Sequence, residues 1–247
     1  MEKTMTGDDA DGGSAHITRF GLSEHVPLPK YLEQTYWWAY IHPKGVRFFE
    51  RQWLVNLILW GNYVRLRDAA LQEMGLPIRG KVLQIACVYG DFTESLARRL
   101  GPEAHVDVVD VAPVQLENLS RKINGHPGIS IHHQDSADLS FADGSYDYVV
   151  VFFLLHEQPE HARIRTLREA LRMVRPGGKA IFVDYHQPGP ANPFRYIMTP
   201  VLTLLEPFAM DMWFNDIADW LPAGIQPAAI AKNTYFGGLY QKVVITV

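Results

Sequence analysis

From Lys81 onward, short apolar runs alternate with segments of helical spacing, and this alternation constrains the fold more than any other feature. The runs have the length of buried parallel strands, and they are "KVLQIAC", "HVDVVD", "ISIHH", "YDYVVVFFLL" and "AIFVDYH". Repeated strand–helix units predict a mostly parallel sheet with helices on both faces. The final stretch, "AAIAKNTYFGGLYQKVVITV", predicts two more strands joined at Gly237 and Gly238. We therefore expect an α/β fold built on seven strands.

Composition argues against several classes of function. The formal net charge of −4 gives no indication of a nucleic-acid-binding surface. Cys87 is the only cysteine, so no internal disulfide can form, and we expect a reducing, cytoplasmic setting. No stretch reaches the roughly 20 apolar residues of a membrane span. Residues 1–25 are polar and acidic, lack the apolar core of a signal peptide, and are predicted to be a disordered tail.

Two segments lie outside the repeated units of residues 80–247. Residues 26–79 are dense in aromatic side chains and are predicted to form a helical extension. Residues 187–226 are an apolar insert after the fifth strand, with five prolines between Pro188 and Pro207. This insert follows a strand end, where a lid over a ligand would lie, although an ordinary core-covering helix is the alternative.

The ends of the predicted strands carry the side chains that suggest a ligand. In open α/β sheets, ligands bind beyond the carboxyl ends of the strands. Gly90 permits a turn after the first strand, and the helix that follows offers backbone N–H groups. Asp110 ends the second strand, where a carboxylate can accept both hydroxyls of a ribose, and Asp135 with Ser136 follows the third, where an adenine amino group can bind. Either aspartate could instead cap a turn. The G-x-G-x-x-G loop of nicotinamide-binding folds is absent.

The chain resembles the class I methyltransferases that use S-adenosylmethionine (SAM). More narrowly it resembles the rhodoquinone biosynthesis (RquA) proteins, through "VLQIACVYGDFT", "YWWAYIHP", "FERQWLVNLILWGNY" and "FLLHEQP". The resemblance implies a Rossmann-like methyltransferase fold and an enzyme that replaces a ring methoxy group of ubiquinone by an amino group. It also implies SAM as the amino donor and Mn²⁺ as a second cofactor. Because ubiquinone resides in the bilayer, we expect peripheral contact with the inner, cytoplasmic membrane.

The first loop departs from the usual methyltransferase pattern. Gln84, Ala86 and Val88 stand where an acidic residue and two glycines are usual. Without that carboxylate, the methionine ammonium of SAM would lose its proton more readily and could become a nucleophile. The cofactor-binding residues that we expect from the resemblance are Gln84, Ala86, Val88, Gly90, Asp110, Val111, Asp135, Ser136 and Phe152.

Catalytic and metal-binding candidates lie in the same loop and at the strand ends. Gln84, Tyr89 and Asp91 are the catalytic candidates; Asp91 could bind metal or accept a proton, or merely cap the next helix. Oxygen and imidazole donors suit manganese, and the candidate ligands are Asp91, His156, Glu157, Asp184 and His186. The segment "RIRTLREALR" is predicted to be a solvated helix face.

Two other functions remain compatible with these residues. A conventional SAM-dependent methyltransferase acting on a quinone or another lipid would have the same fold and cofactor. A non-catalytic protein that binds SAM or a quinone would also retain Asp110 and Asp135.

Overall fold

The computed structural model describes residues 26–36, 42–87 and 89–247, without the side chains of residues 43, 44 and 47. The predicted tail of residues 1–25 and the predicted cofactor contact Val88 lie outside the described residues.

A seven-stranded sheet forms the centre of the described chain, in the order β3-β2-β1-β4-β5-β7-β6. The pairs among β1 to β5 are parallel, whereas β7 is antiparallel to both β5 and β6. This confirms the predicted class I methyltransferase fold. The strands are β1 (Lys81–Ile85), β2 (His105–Asp110), β3 (Ile129–His133), β4 (Tyr146–Phe152), β5 (Val174–Tyr185), β6 (Ala229–Tyr235) and β7 (Tyr240–Thr246).

The middle strands are buried because helices cover them. Leu83 of β1 and Val150 of β4 are fully buried, as expected for continuous apolar runs in a parallel sheet. Strand order reverses between β1 and β4, and a crevice opens beyond the carboxyl ends of such strands. The fold thereby brings the ends of β1, β2, β4 and β5 to one edge.

Helices surround the sheet and extend beyond that edge. Helix α6 packs on β2 and β3, α7 on β4 and β5, and α4 on β5 and β7. Pro113 opens α6 with a preset φ angle, and Asn124 ends it in the left-handed region at φ 45°. The described α-helices are α1 (Lys30–Thr35), α2 (Pro43–Phe49), α3 (Gln52–Ile58), α4 (Tyr63–Gln72), α5 (Phe92–Ala97), α6 (Pro113–Ile123), α7 (Glu160–Met173), α8 (Phe194–Leu205) and α9 (Asp211–Phe214).

Short 3₁₀-helices complete the connections at Leu155–Glu157, after β4, and at Ile217–Trp220, after α9. Within the part of the chain that the structure describes, every helix is too short or too polar to cross a bilayer.

Candidate functional site

A cavity lies at the carboxyl edge of the sheet, where strand order reverses. One wall comes from the ends of β1, β2 and β4, and the opposite wall comes from α1, α2 and α3. Ligand crevices of open α/β sheets occupy this position. The strand side includes Ala86, Cys87, Asp110, Val111, Ser136 and Phe152, and the helix side includes Tyr31, Tyr36, Phe49, Val55, Ile58 and Leu59. His156, just beyond the end of β4, also lines the cavity.

Asp110 presents its carboxylate on the cavity wall, as expected for a ribose contact. One oxygen accepts the backbone N–H of Cys87 at 2.7 Å, and the other accepts that of Ala112 at 2.8 Å. These bonds fix the carboxylate, and each oxygen keeps a second lone pair for a hydroxyl. Burial raises the pKa of Asp110 to about 6, although the backbone donors oppose that rise.

Gln84 lies behind the loop and is absent from the cavity wall. Its side chain is buried; Nε2 donates to the carbonyl of Ala86 at 3.0 Å, and Oε1 accepts from the hydroxyl of Thr93 at 2.9 Å. The amide therefore ties β1 to the loop and to α5. Ala86 itself lines the cavity with φ 75°, a left-handed conformation that costs a non-glycine residue about 1 kcal/mol or more.

Gly90 and Tyr89 shape the rest of this loop. Gly90 has φ 86°, and a Cβ there would lie 2.6 Å from the Tyr63 hydroxyl, so only glycine fits. Tyr89 lines the cavity, and its hydroxyl accepts the amide N–H of Gln115 at 3.0 Å. Burial raises the pKa of Tyr89, so its phenol stays protonated at neutral pH.

Asp91 is held by an arginine of α4 and is not a cavity-lining residue. Arg67 donates from Nη1 to both carboxylate oxygens, at 2.6 and 2.8 Å, and Ser95 donates at 3.1 Å. Burial alone would raise the pKa of Asp91, but Arg67 outweighs it and the pKa falls below its ordinary value. The residue precedes α5 without making a capping hydrogen bond. In this arrangement Asp91 joins the loop to α4.

Of the two residues expected to contact the adenine, Ser136 lines the cavity and Asp135 does not. Ser136 lines the cavity and lies 3.0 Å from both the Thr166 hydroxyl and the Gln158 amide nitrogen. Asp135 instead accepts the backbone N–H of Ala137 at 2.9 Å and is not part of the wall. Val111 and Phe152, both predicted as cofactor contacts, line the cavity.

The five predicted metal ligands do not form one donor set. Asp184 is fully buried and accepts the backbone N–H groups of Leu155 and Tyr185. The His186 Nδ1 lies 2.7 Å from the Gly238 carbonyl, and Asp91 is paired with Arg67. Only His156 and Glu157 line the cavity. No group of three or more His, Cys, Asp or Glu able to hold a metal ion occurs among the described residues, which therefore do not fit the predicted Mn²⁺ site.

Arg163 of α7 was expected on a solvated helix face, but it is completely buried. Its charge is tolerated there because the guanidinium donates to the carbonyls of Leu155 at 2.9 Å, Gln158 at 2.8 Å and Phe208 at 3.0 Å. It also lies 4.4 Å from the ring centroid of Trp220. The predicted solvated face of α7 is therefore wrong at this position. Helical spacing could have predicted this burial. The residues three, four and seven positions after Arg163 lie on the same helix face, and they are Thr166, Leu167 and Ala170, all buried.

Glu206 and Tyr36 also line the cavity, and neither was singled out in the sequence. Glu206 follows α8, in the insert after β5, and Tyr36 follows α1. No local pattern marks them, because they reach the cavity only through packing of distant segments.

Comparison with known proteins supports the architecture. Residues 82–178 match the methyltransferase-domain family. Over 135 residues the chain is 30% identical to the demethylmenaquinone methyltransferase of Staphylococcus aureus strain JH9, covering 55% of each protein. It thus spans about half the length of the curated relatives it matches.

Two solved structures share the fold at low sequence identity. A SAM-dependent methyltransferase from Aquifex aeolicus superposes with a TM-score of 0.54 at 16% identity, covering 83% of this chain and 98% of that one. An O-methyltransferase family protein from Burkholderia thailandensis gives 0.58 at 15% identity, covering 84% and 63%. With the sheet order and the matched domain, these likenesses show that the chain has the fold of the class I SAM-dependent methyltransferases.

Proposed function

We propose that this protein binds SAM at the strand side of the cavity and modifies the ring of a quinone lipid bound at the helix side. The observation that carries the proposal is that Asp110, at a strand end suited to a nucleotide ribose, and the aromatic side chains of α1 and α2 line the same cavity. The similarity to a demethylmenaquinone methyltransferase supports a quinone as the substrate.

The chain's own residues provide each part of a SAM site. Asp110 would accept the ribose hydroxyls and Ser136 would contact the adenine, while the backbone around Ala86 and Cys87 would face the methionine part. Apolar and aromatic walls would exclude water from the transfer. No step of this scheme is assigned to a metal ion.

The narrower form of the proposal is synthesis of rhodoquinone from ubiquinone. Its support is Gln84, a neutral side chain at the usual position of an acid, with both polar ends engaged by Ala86 and Thr93. Without a nearby carboxylate, the amino group of SAM would be neutral more often, and only the neutral amine has the lone pair that attacks the quinone ring. The amine would add to the ring carbon that bears a methoxy group, and the methoxide would leave and take the proton of the amine as methanol. Elimination on the SAM side, which breaks the nitrogen–Cα bond and removes a Cβ proton, would then release the aminoquinone.

Methyl transfer to a quinone ring is the second candidate. The observation that favours it is the demethylmenaquinone methyltransferase similarity, which covers 135 residues of this chain. Asp110 and Ser136 would hold SAM in the same way. The two reactions differ in the SAM group that is transferred and in the ring substituent that it replaces, a methoxy group in amino transfer and a hydrogen in methyl transfer.

Doubly labelled SAM separates these reactions. The purified protein is incubated with ubiquinone, or with demethylmenaquinone, and SAM that carries ¹⁵N in its amino group and ¹³C in its methyl group; the quinone is analysed by mass spectrometry. A quinone that gains ¹⁵N and loses a methoxy group supports rhodoquinone synthesis, whereas gain of ¹³C supports methyl transfer. An unchanged quinone, in protein shown to bind SAM, refutes modification of these quinones and leaves a binding protein or an enzyme with another substrate.

Variants sharpen the same experiment. Gln84→Glu should retain SAM binding and lose ¹⁵N transfer, because a carboxylate favours the ammonium form. Asp110→Asn should weaken SAM binding and reduce either label transfer. Asp143→Asn is the control, since that carboxylate is mostly exposed and lies outside the cavity. Full ¹⁵N transfer by Gln84→Glu would refute the amine argument.

We also propose that the helix side of the cavity contacts a membrane surface. Trp53 and Leu57 of α3 are 58% and 60% exposed, and Leu204 of α8 is 81% exposed. Trp60, two residues after α3, packs with its ring 4.6 Å from that of Phe194, the first residue of α8, centroid to centroid. Exposed apolar side chains on two such helices suit insertion into a bilayer interface.

Flotation with liposomes tests the membrane contact. The wild type should float with quinone-loaded vesicles, and a Trp53→Ser, Leu204→Ser double variant should float several-fold less. Ile230→Ser, at an exposed apolar residue of the edge strand β6, is the control. Equal flotation of the double variant and the wild type would refute this part of the proposal.

A further inference from the structure

Four titratable groups gather in one part of the cavity. Tyr36 comes from the end of α1, His156 and Glu157 from the 3₁₀-helix after β4, and Glu206 from the residue that ends α8. All four line the cavity, although they lie far apart in the chain. None of them belongs to the strand ends expected to hold SAM, so the cluster lies where the second substrate would bind.

Asp184 orients the imidazole of His156. The Nδ1 atom of His156 lies 2.9 Å from the Asp184 Oδ1. Asp184 is itself fixed, because it accepts the backbone N–H groups of Leu155 at 2.9 Å and Tyr185 at 2.7 Å. The other ring nitrogen, Nε2, is 3.7 Å from the Glu157 carboxylate, beyond hydrogen-bond distance.

The charges around His156 keep its ring protonated. Burial by itself lowers the pKa of His156, but the carboxylates of Asp184 and Glu157 outweigh burial and raise the pKa to about 9. At neutral pH the ring is therefore an imidazolium with donors on both nitrogens. The Nδ1 atom forms an ion pair with Asp184 at 2.9 Å, and the Nε2 donor can serve a ligand.

Glu206 brings a buried carboxyl group to the same place. Its Oε2 atom is buried and has no hydrogen-bond partner among the described residues. Burial raises the pKa of Glu206, although His156 and the Tyr36 hydroxyl oppose that rise. A buried polar atom without a partner is costly, so this oxygen is suited to a ligand group that completes its hydrogen bonds.

The walls around this cluster suit a flat ring. The Tyr185 ring lies 4.9 Å from the His156 ring, and the Phe153 ring lies 6.0 Å from it, centroid to centroid. Aromatic faces next to hydrogen-bonding side chains accommodate a planar ring that carries an oxygen. Such an oxygen gains negative charge when a nucleophile adds to a quinone, or when a phenol is deprotonated.

We propose that His156 donates to a ring oxygen of the quinone or quinol substrate and that Glu206 accepts from a ring hydroxyl of the quinol, with Asp184 and Tyr36 as positioning residues. This inference rests on the proposed function and deepens it, since it names the group of the substrate that the site recognises. A donor aimed at the oxygen stabilises its developing charge, as preorganised donors do in oxyanion sites. The apolar insert after β5 thereby supplies a specific contact to the substrate, through Glu206.

Binding of matched ring compounds tests the inference. The probes are 1,4-naphthoquinone kept in its reduced form, which carries two ring hydroxyls, and naphthalene, which has nearly the same shape and no oxygen. Affinities are measured by quenching of tryptophan fluorescence or by competition, and SAM affinity is measured by calorimetry on the same preparations. The variants are Glu206→Gln and His156→Gln, with Glu33→Gln and His161→Gln as controls at exposed positions.

Both cavity variants should bind reduced naphthoquinone about 10- to 100-fold more weakly than the wild type, the range for loss of a charged hydrogen bond. Naphthalene and SAM affinities should change less than threefold, a pattern that a general loss of structure cannot produce. Tyr36→Phe should give a smaller loss, about threefold to tenfold, and provides a conservative test if either other variant misfolds.

The outcomes distinguish this inference from the proposed function. Wild-type affinity for reduced naphthoquinone in Glu206→Gln, His156→Gln and Tyr36→Phe would overturn the inference and leave the proposed function intact. Equal weakening of reduced naphthoquinone and naphthalene would also overturn it, because the role would then be structural. If the wild type bound SAM but no quinone, the proposed function and the inference would both fail.

Discussion

Replacing Gln84 by glutamate should destabilise the protein in a pH-dependent way. The two residues have nearly the same shape, so the substitution changes one donor into an acceptor. In the wild type, the Nε2 of Gln84 donates to the Ala86 carbonyl at 3.0 Å, deep in the protein. An ionised carboxylate would face that carbonyl with no hydrogen between them. The bond from the Thr93 hydroxyl to Oε1 would remain.

The expected magnitude follows from burial and from the lost donor. Leaving the Ala86 carbonyl unpaired costs about 1–3 kcal/mol. Burial also raises the pKa of the new carboxyl, and at a pH above the raised pKa each unit of that rise costs about a further 1.4 kcal/mol. A group whose folded pKa is raised stabilises the fold fully below its unfolded pKa, about 4.3, and loses that contribution as pH rises through the folded value. We expect about 1 kcal/mol of destabilisation at pH 5 and about 3 kcal/mol at pH 8.

Urea unfolding followed by circular dichroism at pH 5 and pH 8 measures this difference. Gln72→Glu is the matched control, since Gln72 is exposed and the same chemical change there should alter the free energy of unfolding by less than about 0.5 kcal/mol. A destabilisation by Gln84→Glu that is equal at the two pH values would refute the argument, because the new carboxyl would then not be desolvated.

Three other substitutions have expected outcomes. Ala86→Gly should raise the free energy of unfolding by up to about 1 kcal/mol by relaxing the left-handed backbone, whereas Ala97→Gly, inside α5, should lower it by about 1 kcal/mol; thermal melts compare the two. Arg163→Met should destabilise by about 3–5 kcal/mol in urea unfolding, because three buried carbonyls lose their donor, while Arg168→Met on the exposed side of α7 should cost below about 0.5 kcal/mol. Because the folded pKa of Asp110 is raised to about 6, the wild type should lose stability relative to Asp110→Asn between pH 5 and pH 7, by about 1 kcal/mol or more; a flat difference across this range would contradict the raised pKa.

The sequence predicted well those features that depend on local pattern. Apolar runs such as "YVVVFF" specify buried parallel strands, and their order along the chain leaves few topologies. Asp110 could be placed at the ligand edge because it directly ends a strand, and the structure places it on the cavity wall. Gly90 could be identified because a tight turn after the first strand requires it, and its φ of 86° is one that other residues rarely adopt.

Side chains in the loops could not be assigned in the same way. Gln84 was expected to contact the cofactor, and Asp91 was expected to act in catalysis or to bind metal. In the structure Gln84 accepts from Thr93, and Asp91 is paired with Arg67, a residue 24 positions earlier. The strand-end acids also have different surroundings: Asp184 is buried against backbone N–H groups, whereas Asp110 reaches the cavity. A strand end fixes the position of a residue, and the neighbouring segments fix what its side chain can contact.

The sequence by itself determined the sheet and the position of Asp110 at the edge where the cavity lies, because these follow from periodicity and chain order. Only the tertiary structure decided that Tyr36, His156 and Glu206 share one part of the cavity. It also decided that Arg163 is buried beneath the His156 segment. The physical reason is that periodicity records which face of an element is apolar, whereas contacts between distant segments depend on how helices and loops pack against the sheet, and no local pattern encodes that packing.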